Sequence, residues 1–127
     1  MRGRVLLLFL AVAALAVLPV GESFAASTSP TGEWHISRAT YYGPGLYGNG
    51  MACGGTLTPE TRGVAHRTLP CGTMVEFEWQ GNHVVVPVVD RGPYGNAAEW
   101  DLTEATCRDL SANTTNRCST GDIAWRT

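Results

Sequence analysis

The chain contains no lysine: all nine of its basic residues are Arg, and no stretch runs them together. Set against eleven Asp and Glu they leave a formal net charge of −2. A mildly acidic chain without a basic run lacks the electrostatic footprint of a nucleic-acid or anionic-lipid binder, so neither is expected as a partner. There is no CxxC pair, and His35, His66 and His83 stand at no ligand spacing. No metal and no cofactor is expected on that pattern. There is no internal repeat, and only one long apolar run, Val5 to Val20. Nothing beyond it predicts a membrane-spanning segment.

That run has the form of a secretory signal. Arg2 and Arg4 precede it, Pro19 interrupts it, and Ser23-Phe24-Ala25 puts small residues at the −3 and −1 positions of a cleavage site before Ala26. The expected product is secreted or extracellular, associated with the cell wall, and free of the membrane once the signal is removed. Taking residues 1–25 from the 127 leaves 102, enough for one domain with one modest core. Residues 26–36 read as a flexible, Ser/Thr/Pro/Gly-rich leader and 37–127 as the domain. A monomer is expected.

Cys53, Cys71, Cys107 and Cys118 all lie in the exported part. An even count in a small exported domain predicts two disulfides. Three connectivities are open; Cys53–Cys71 with Cys107–Cys118 is favoured because each closes a local, turn-rich loop.

Trp34 to Tyr42, rich in aromatic and β-branched residues, predicts a first strand. The Gly/Pro-rich stretch Gly43 to Gly55 predicts a long shaped loop, the kind of segment that carries function. Thr61 to His66 reads as a short strand. Met74 to Trp79 alternates with period 2, turns at Gln80-Gly81-Asn82 and returns over His83 to Val89, the clearest hairpin in the chain. Pro87 has no N–H to give a ladder and marks an edge or a bulge just before Asp90. Leu102 to Leu110 predicts the single helix, with Leu102, Ala105, Thr106, Cys107 and Leu110 inward and Asp101–Glu104 as a capping pair. Gly121 to Arg126 reads as a last strand. Asn113-Thr114-Thr115 fits a glycosylation sequon. Short strands, one helix and long loops indicate a small all-β barrel or sandwich.

The chemistry concentrates at Asp90, which ends a β-branched run, and Asp101, eleven positions later, with aromatics between them. Two carboxylates at the ends of neighbouring elements are what a glycan-cleaving cleft needs. Each has a plainer role available: Asp101 as a helix cap, Asp90 as a turn former. His66 would donate to substrate, hold an Asp, or sit buried against backbone. Arg91 would pair with Asp101, contact the glycan, or lie on the surface. Tyr41, Tyr42, Tyr47, Tyr94 and Trp100 are candidates to stack on sugar rings. Alternation lets only one of Tyr41 and Tyr42 line a groove, the other being core. Trp34, Trp79 and Trp125 read as core or strand-face residues.

Four segments in this order, ATYYGPGLYGNG, GVAHRTLPCGTMV, VVVPVVDRGPYG and EWDLTEATCRDL, resemble the RlpA-like double-psi β-barrel domain, whose relatives include expansins and family-45 endoglucanases. The resemblance covers about residues 38 to 110, and AHRTLP with DRGP is its most specific part. It implies a six-stranded double-psi β-barrel with one short helix and a groove along one side. It also implies a peptidoglycan lytic transglycosylase that cleaves glycan strands to anhydromuramyl ends and needs no cofactor. By the same resemblance Asp90, Asp101 and His66 are the catalytic candidates. The resemblance makes Thr40 and Tyr94 groove-lining positions; with Tyr42 and Arg91, read from their own chemistry, they are the substrate-binding candidates, and peptidoglycan or another wall polysaccharide is the implied partner. The chain departs from the pattern at Gly55, where many members carry an acid. The alternative is therefore a non-catalytic, expansin-like module that binds or loosens the wall.

Overall fold

Six strands and one helix alternate with long loops in the computed structural model, which describes residues 29–95, 97–112, 118 and 121–127. The signal segment, its cleavage site before Ala26, the start of the leader and the Asn113–Thr115 sequon lie outside the described residues. In chain order the elements are β1 (His35–Tyr42), β2 (Val64–Ala65), β3 (Met74–Trp79), β4 (Asn82–Asp90), β5 (Trp100–Thr103), α1 (Glu104–Leu110) and β6 (Gly121–Arg126). The strands close into a barrel in the order β1-β5-β2-β4-β3-β6. β1 runs parallel to β5 and β2 parallel to β4, while the remaining pairs are antiparallel. The expected six-stranded barrel with one short helix is what forms. β1 begins at His35, inside the stretch read as leader.

The β3–β4 hairpin forms for the reason its sequence gives. Val75 and Phe77 point inward and are wholly buried, with Glu76 and Glu78 alternating outward. Gln80 and Gly81 both take positive φ, 50° and 82°, the pair of conformations a tight two-residue hairpin requires. Asn82, expected in the turn, is already the first residue of β4 and pairs with Trp79. The core is Val64, Val75, Phe77, Val88, Trp100 and Leu102, with α1 adding Ala105, Cys107 and Leu110. Both disulfides have the favoured pairing, Cys53–Cys71 and Cys107–Cys118.

Three expectations need correction. The strand expected over Thr61–His66 is only Val64–Ala65, because Val64 and Ala65 alone pair with neighbours on both sides. The helix expected from Leu102 starts at Glu104; Trp100–Thr103 is instead a strand, held between β1 and β2. Its cap is therefore Thr103, whose side chain accepts from the Thr106 amide, and not Asp101. Thr103 and Thr106 are buried together, and the Gly63 amide donates to both hydroxyls, at 3.2 and 2.8 Å. Thr106 returns a bond to the Gly63 carbonyl at 3.0 Å. This knot ties the start of the helix to the approach to β2.

Pro87 does herald a bulge. Val64 pairs with Val88 but the next residue, Ala65, pairs with Asp90, so Val89 is the extra residue. Gly63 packs directly on it: a Cβ there would stand 2.5 Å from Val89 Cγ2 and 2.7 Å from Cγ1. Gly63→Ala is expected to cost about 2 kcal/mol through overpacking, read as a lower urea midpoint with an unchanged slope.

Candidate active site

One row of residues across four adjacent strands builds the site. Thr40 on β1 pairs with Asp101 on β5, Asp101 with Ala65 on β2, and Ala65, across the bulge, with Asp90 on β4. Directly paired residues share a sheet face. The inward face of these strands carries Ala39, Trp100, Leu102, Val64 and Val88, so the row lies on the outer face. Two strand spacings set the backbones of Asp90 and Asp101 roughly 10 Å apart, with only the methyl of Ala65 between them. The small residue leaves a floor over which two carboxylates converge.

That floor opens into a cleft of about 350 Å³. The loop after β1 supplies one wall with Leu46, Asn49, Met51 and Leu57, and Arg91 to Tyr94 supply the other. Tyr42 lines the cleft and Tyr94 stands 80% exposed at its rim. Tyr41 shares the inward face of Leu102 but is 39% exposed and not core, as one of the pair was expected to be. Trp100 leaves the list of sugar-stacking candidates altogether: it is wholly buried, its ring packed against His66, Phe77 and Trp125. Tyr47 turns its hydroxyl to Glu104 on α1 and so pins the loop to the helix.

The two carboxylates differ in what surrounds them. Asp90 Oδ1 accepts from the amides of Ala52, at 2.8 Å, and Arg91, at 2.9 Å; Oδ2 accepts from the Tyr42 hydroxyl at 3.3 Å. Among the described residues Asp101 accepts one bond, from Thr40 Oγ1 at 2.8 Å. Burial pushes the Asp101 carboxyl above the ordinary Asp range, and the nearby charge of Asp90 adds to the rise, against the Thr40 hydrogen bond. The Tyr42 phenol is pushed well up by burial, then by Asp90 and Asp101, so it stays a proton donor.

His66 lies beside the site without entering it. Its Nδ1 accepts from the amides of Thr68 and Leu69 at 3.1 and 3.0 Å, so the ring proton is on Nε2. Nε2 stands 3.9 Å from Glu99, too far for a hydrogen bond. Burial lowers the imidazole pKa, with Arg67 and Arg91 adding to the fall and Glu99 opposing it. The link from His66 to Asp90 runs through backbone: the His66 amide donates to the Asp90 carbonyl at 3.2 Å. Arg91 reaches the His66 carbonyl at 3.3 Å and no Asp101 contact. Hydrogen bonds thus join Thr40 to Asp101 and Tyr42 to Asp90, the strand register sets the two pairs side by side, Arg91 and Tyr94 border them, and the His66 side chain is turned away.

Arg67 was not singled out in the sequence, although it lies within AHRTLP. Its guanidinium donates to the carbonyls of Pro93 and Ala98, both at 2.8 Å, and so spans the loop that carries the cleft's second wall. Arg67→Ala is expected to lower stability by about 2 kcal/mol, the worth of part-buried charge-assisted bonds, measured as a shift in denaturation midpoint.

Residues 38–121 match a family model described as lytic transglycolase. The chain is 37% identical over 100 residues to a probable endolytic peptidoglycan transglycosylase RlpA of Synechocystis, covering 77% of this chain and 30% of that one. It is 30% identical over 92 residues to the endolytic peptidoglycan transglycosylase RlpA of Campylobacter jejuni, covering 71% and 34%. The chain therefore spans about a third of the length of these relatives. Among solved structures, a Streptomyces papain inhibitor aligns with TM-score 0.55 and 26% identity over 76% of this chain and 96% of that one. An expansin of Clavibacter michiganensis aligns with TM-score 0.54 and 23% identity over 73% and 49%, a likeness of fold.

Proposed function

Since this chain belongs to the lytic transglycosylase family of double-psi β-barrels, we propose that it cleaves peptidoglycan glycan strands, with Asp101 as the single general acid/base. The observation that carries this reading is the contrast between the two carboxylates. Asp101 is half-buried, and burial with the charge of Asp90 raises its affinity for a proton, against the Thr40 hydrogen bond. Asp90 has both oxygens occupied by donors. A group that is to protonate a glycosidic oxygen near neutral pH needs the first environment; a group that is to face developing positive charge needs the second.

In the proposed reaction Asp101 gives its proton to the leaving glycosidic oxygen. Asp90, held by Ala52, Arg91 and Tyr42, stabilises the oxocarbenium-like centre. The Asp101 carboxylate then takes the proton of the sugar's own C6 hydroxyl, whose oxygen closes on C1 to form the anhydro ring. No water nucleophile and no cofactor enters. Thr40 orients the acid, and Tyr94 and Arg91 border the strand. His66 is assigned as a positioning residue that fixes the start of the turn after β2. We take the protein to act outside the cell, as a monomer, on the grounds of the signal-like residues 1–25 and the polymeric substrate.

The alternative, a non-catalytic module that binds or loosens wall polysaccharide, is favoured by one feature. Gly55, where an acid is common in the family pattern, has no side chain and a positive φ of 77°. Incubation of the protein with purified sacculi and with peptide-stripped glycan strands, followed by mass spectrometry of soluble products, separates the two readings. Anhydro-ended fragments are expected. Binding to the wall with no fragments would overturn the enzyme in favour of the module.

A further inference from the structure

The loop that forms the first wall of the cleft, residues 43–58, is laced by backbone bonds of its own, from Gly48 to Leu57, Leu57 to Asn49 and Met51 to Gly55 among them, but belongs to no strand of the barrel. Gly43, Gly45, Gly48, Gly54 and Gly55 all take positive φ. Tyr47 ties the loop to Glu104 on the helix, and its hold on the end of β4 comes at Ala52 and Cys53. The Ala52 amide donates to Asp90 Oδ1 at 2.8 Å, and the Cys53 amide to the Val89 carbonyl at 3.1 Å. Cys53 is bonded to Cys71, and from that side the Gly72 amide donates to the Val88 carbonyl at 2.8 Å. Arg91 Nη2 approaches Cys71 Sγ at 3.5 Å. The bridge thus straddles the end of β4, and residues at or beside it touch Val88, Val89, Asp90 and Arg91 in turn. The other donor to Oδ1, the Arg91 amide, is Asp90's own neighbour, so Ala52 is the tether that reaches Oδ1 from a distant segment among the described residues.

We propose that the Cys53–Cys71 disulfide is a positioning element for the reaction: it holds the Ala52 amide on Asp90, and the cleft is competent only while the bridge is intact. The inference rests on the lytic transglycosylase reading for its effect on turnover, but not for its effect on Asp90. A dithiol would undo it by ordinary exchange. The dithiol's two thiols are oxidised to a disulfide, and Cys53 and Cys71 each leave as a thiol carrying one of its protons. Cys71 is exposed and Cys107 is buried, so such exchange reaches this bridge first.

The test compares the wild type with C53S/C71S and, as a control for general stapling, C107S/C118S. The first readout is the pH dependence of the Ala52 amide proton shift by NMR, which follows Asp90 ionisation through the hydrogen bond. The second is release of anhydro products. In C53S/C71S the Ala52 titration is expected to lose most of its amplitude. Product release should fall about ten- to a hundredfold, the cost of a small misplacement of a reacting group, with wall pelleting retained. C107S/C118S should keep the Ala52 titration. An unchanged Ala52 titration in C53S/C71S would overturn the proposal, as would equal loss of it in both variants. A wild type that releases no products sinks the lytic reading alone, and the amide titration still decides this one. Should C53S/C71S not fold, the same titration before and after dithiothreitol reduction of the native protein gives the answer.

Discussion

Asp101→Asn is expected to cut the release of anhydro-ended fragments by about a thousandfold, within the range that general acid–base catalysis supplies, while the protein still pellets with sacculi. Asn keeps an oxygen for the Thr40 hydroxyl, which now bonds Asp101 at 2.8 Å, so the row across β1, β5, β2 and β4 should survive. The proton alone is lost. The same substitution carries an opposite expectation for stability. The Asp101 carboxyl holds its proton to higher pH in the fold than in the unfolded chain. Its contribution is therefore fully present below the unfolded Asp value, near ~3.9, and is lost as pH rises through the folded value. Above the unfolded value, ionisation favours the unfolded chain over the fold, a burden that neutral Asn removes. Asp101→Asn should melt higher than the wild type at pH 7, and the gap should close as both are taken to pH 3. A dead enzyme that is also less stable at pH 7 would mean that the substitution broke the site instead of removing the acid.

Trp100→Ala should unfold the protein. The ring is wholly buried and touches three other rings, those of His66, Phe77 and Trp125. Emptying such a site costs about 3–5 kcal/mol, against a total stability of about 5–15 kcal/mol for a domain. Loss of the near-ultraviolet circular dichroism signal and of the cooperative melt is the expected result. Trp100→Phe should be far milder. It keeps an aromatic ring in the cluster and deletes an indole N–H that has no hydrogen-bond partner among the described residues. A folded Trp100→Ala protein that merely fails to bind glycan would return the residue to the cleft and contradict its place in the core.

Trp100 also shows where the sequence stops being readable. In a strand, Asp101 facing out forces Trp100 to face in, so its burial follows once β5 is known. But β5 is four residues long and runs straight into α1, and nothing local separates its end from the first turn of the helix. It is a strand because β1 and β2 flank it, and both lie far off in the chain. The capping error has the same root. Asp101–Glu104 and Thr103–Thr106 have identical spacing, and only the burial of the threonines against Gly63 chooses between them. The β3–β4 hairpin needed no such help, since its alternation and its Gln80-Gly81 turn are local. For the site, the pair Asp90 and Asp101 could be read from the sequence, and the roles of their neighbours could not. That Ala65 spaces the two acids depends on register, that Ala52 reaches Asp90 depends on a loop's path, and that His66 points away depends on two backbone amides.

The strand order has a kinetic consequence. β1 is bounded by β5 and β6, whose residues follow it by roughly sixty and eighty-five positions along the chain. The amide edges of β1 therefore stay bare until nearly the whole chain is present, and only the β3–β4 hairpin can form early. Such dependence on remote pairings slows folding to the order of milliseconds to seconds. During that interval β1 displays Ile36 and Tyr41 on a strand with two open sides, the moment at which one copy can capture another. Dilute refolding should accordingly give more monomer than concentrated refolding, with the difference confined to the time before the ring closes.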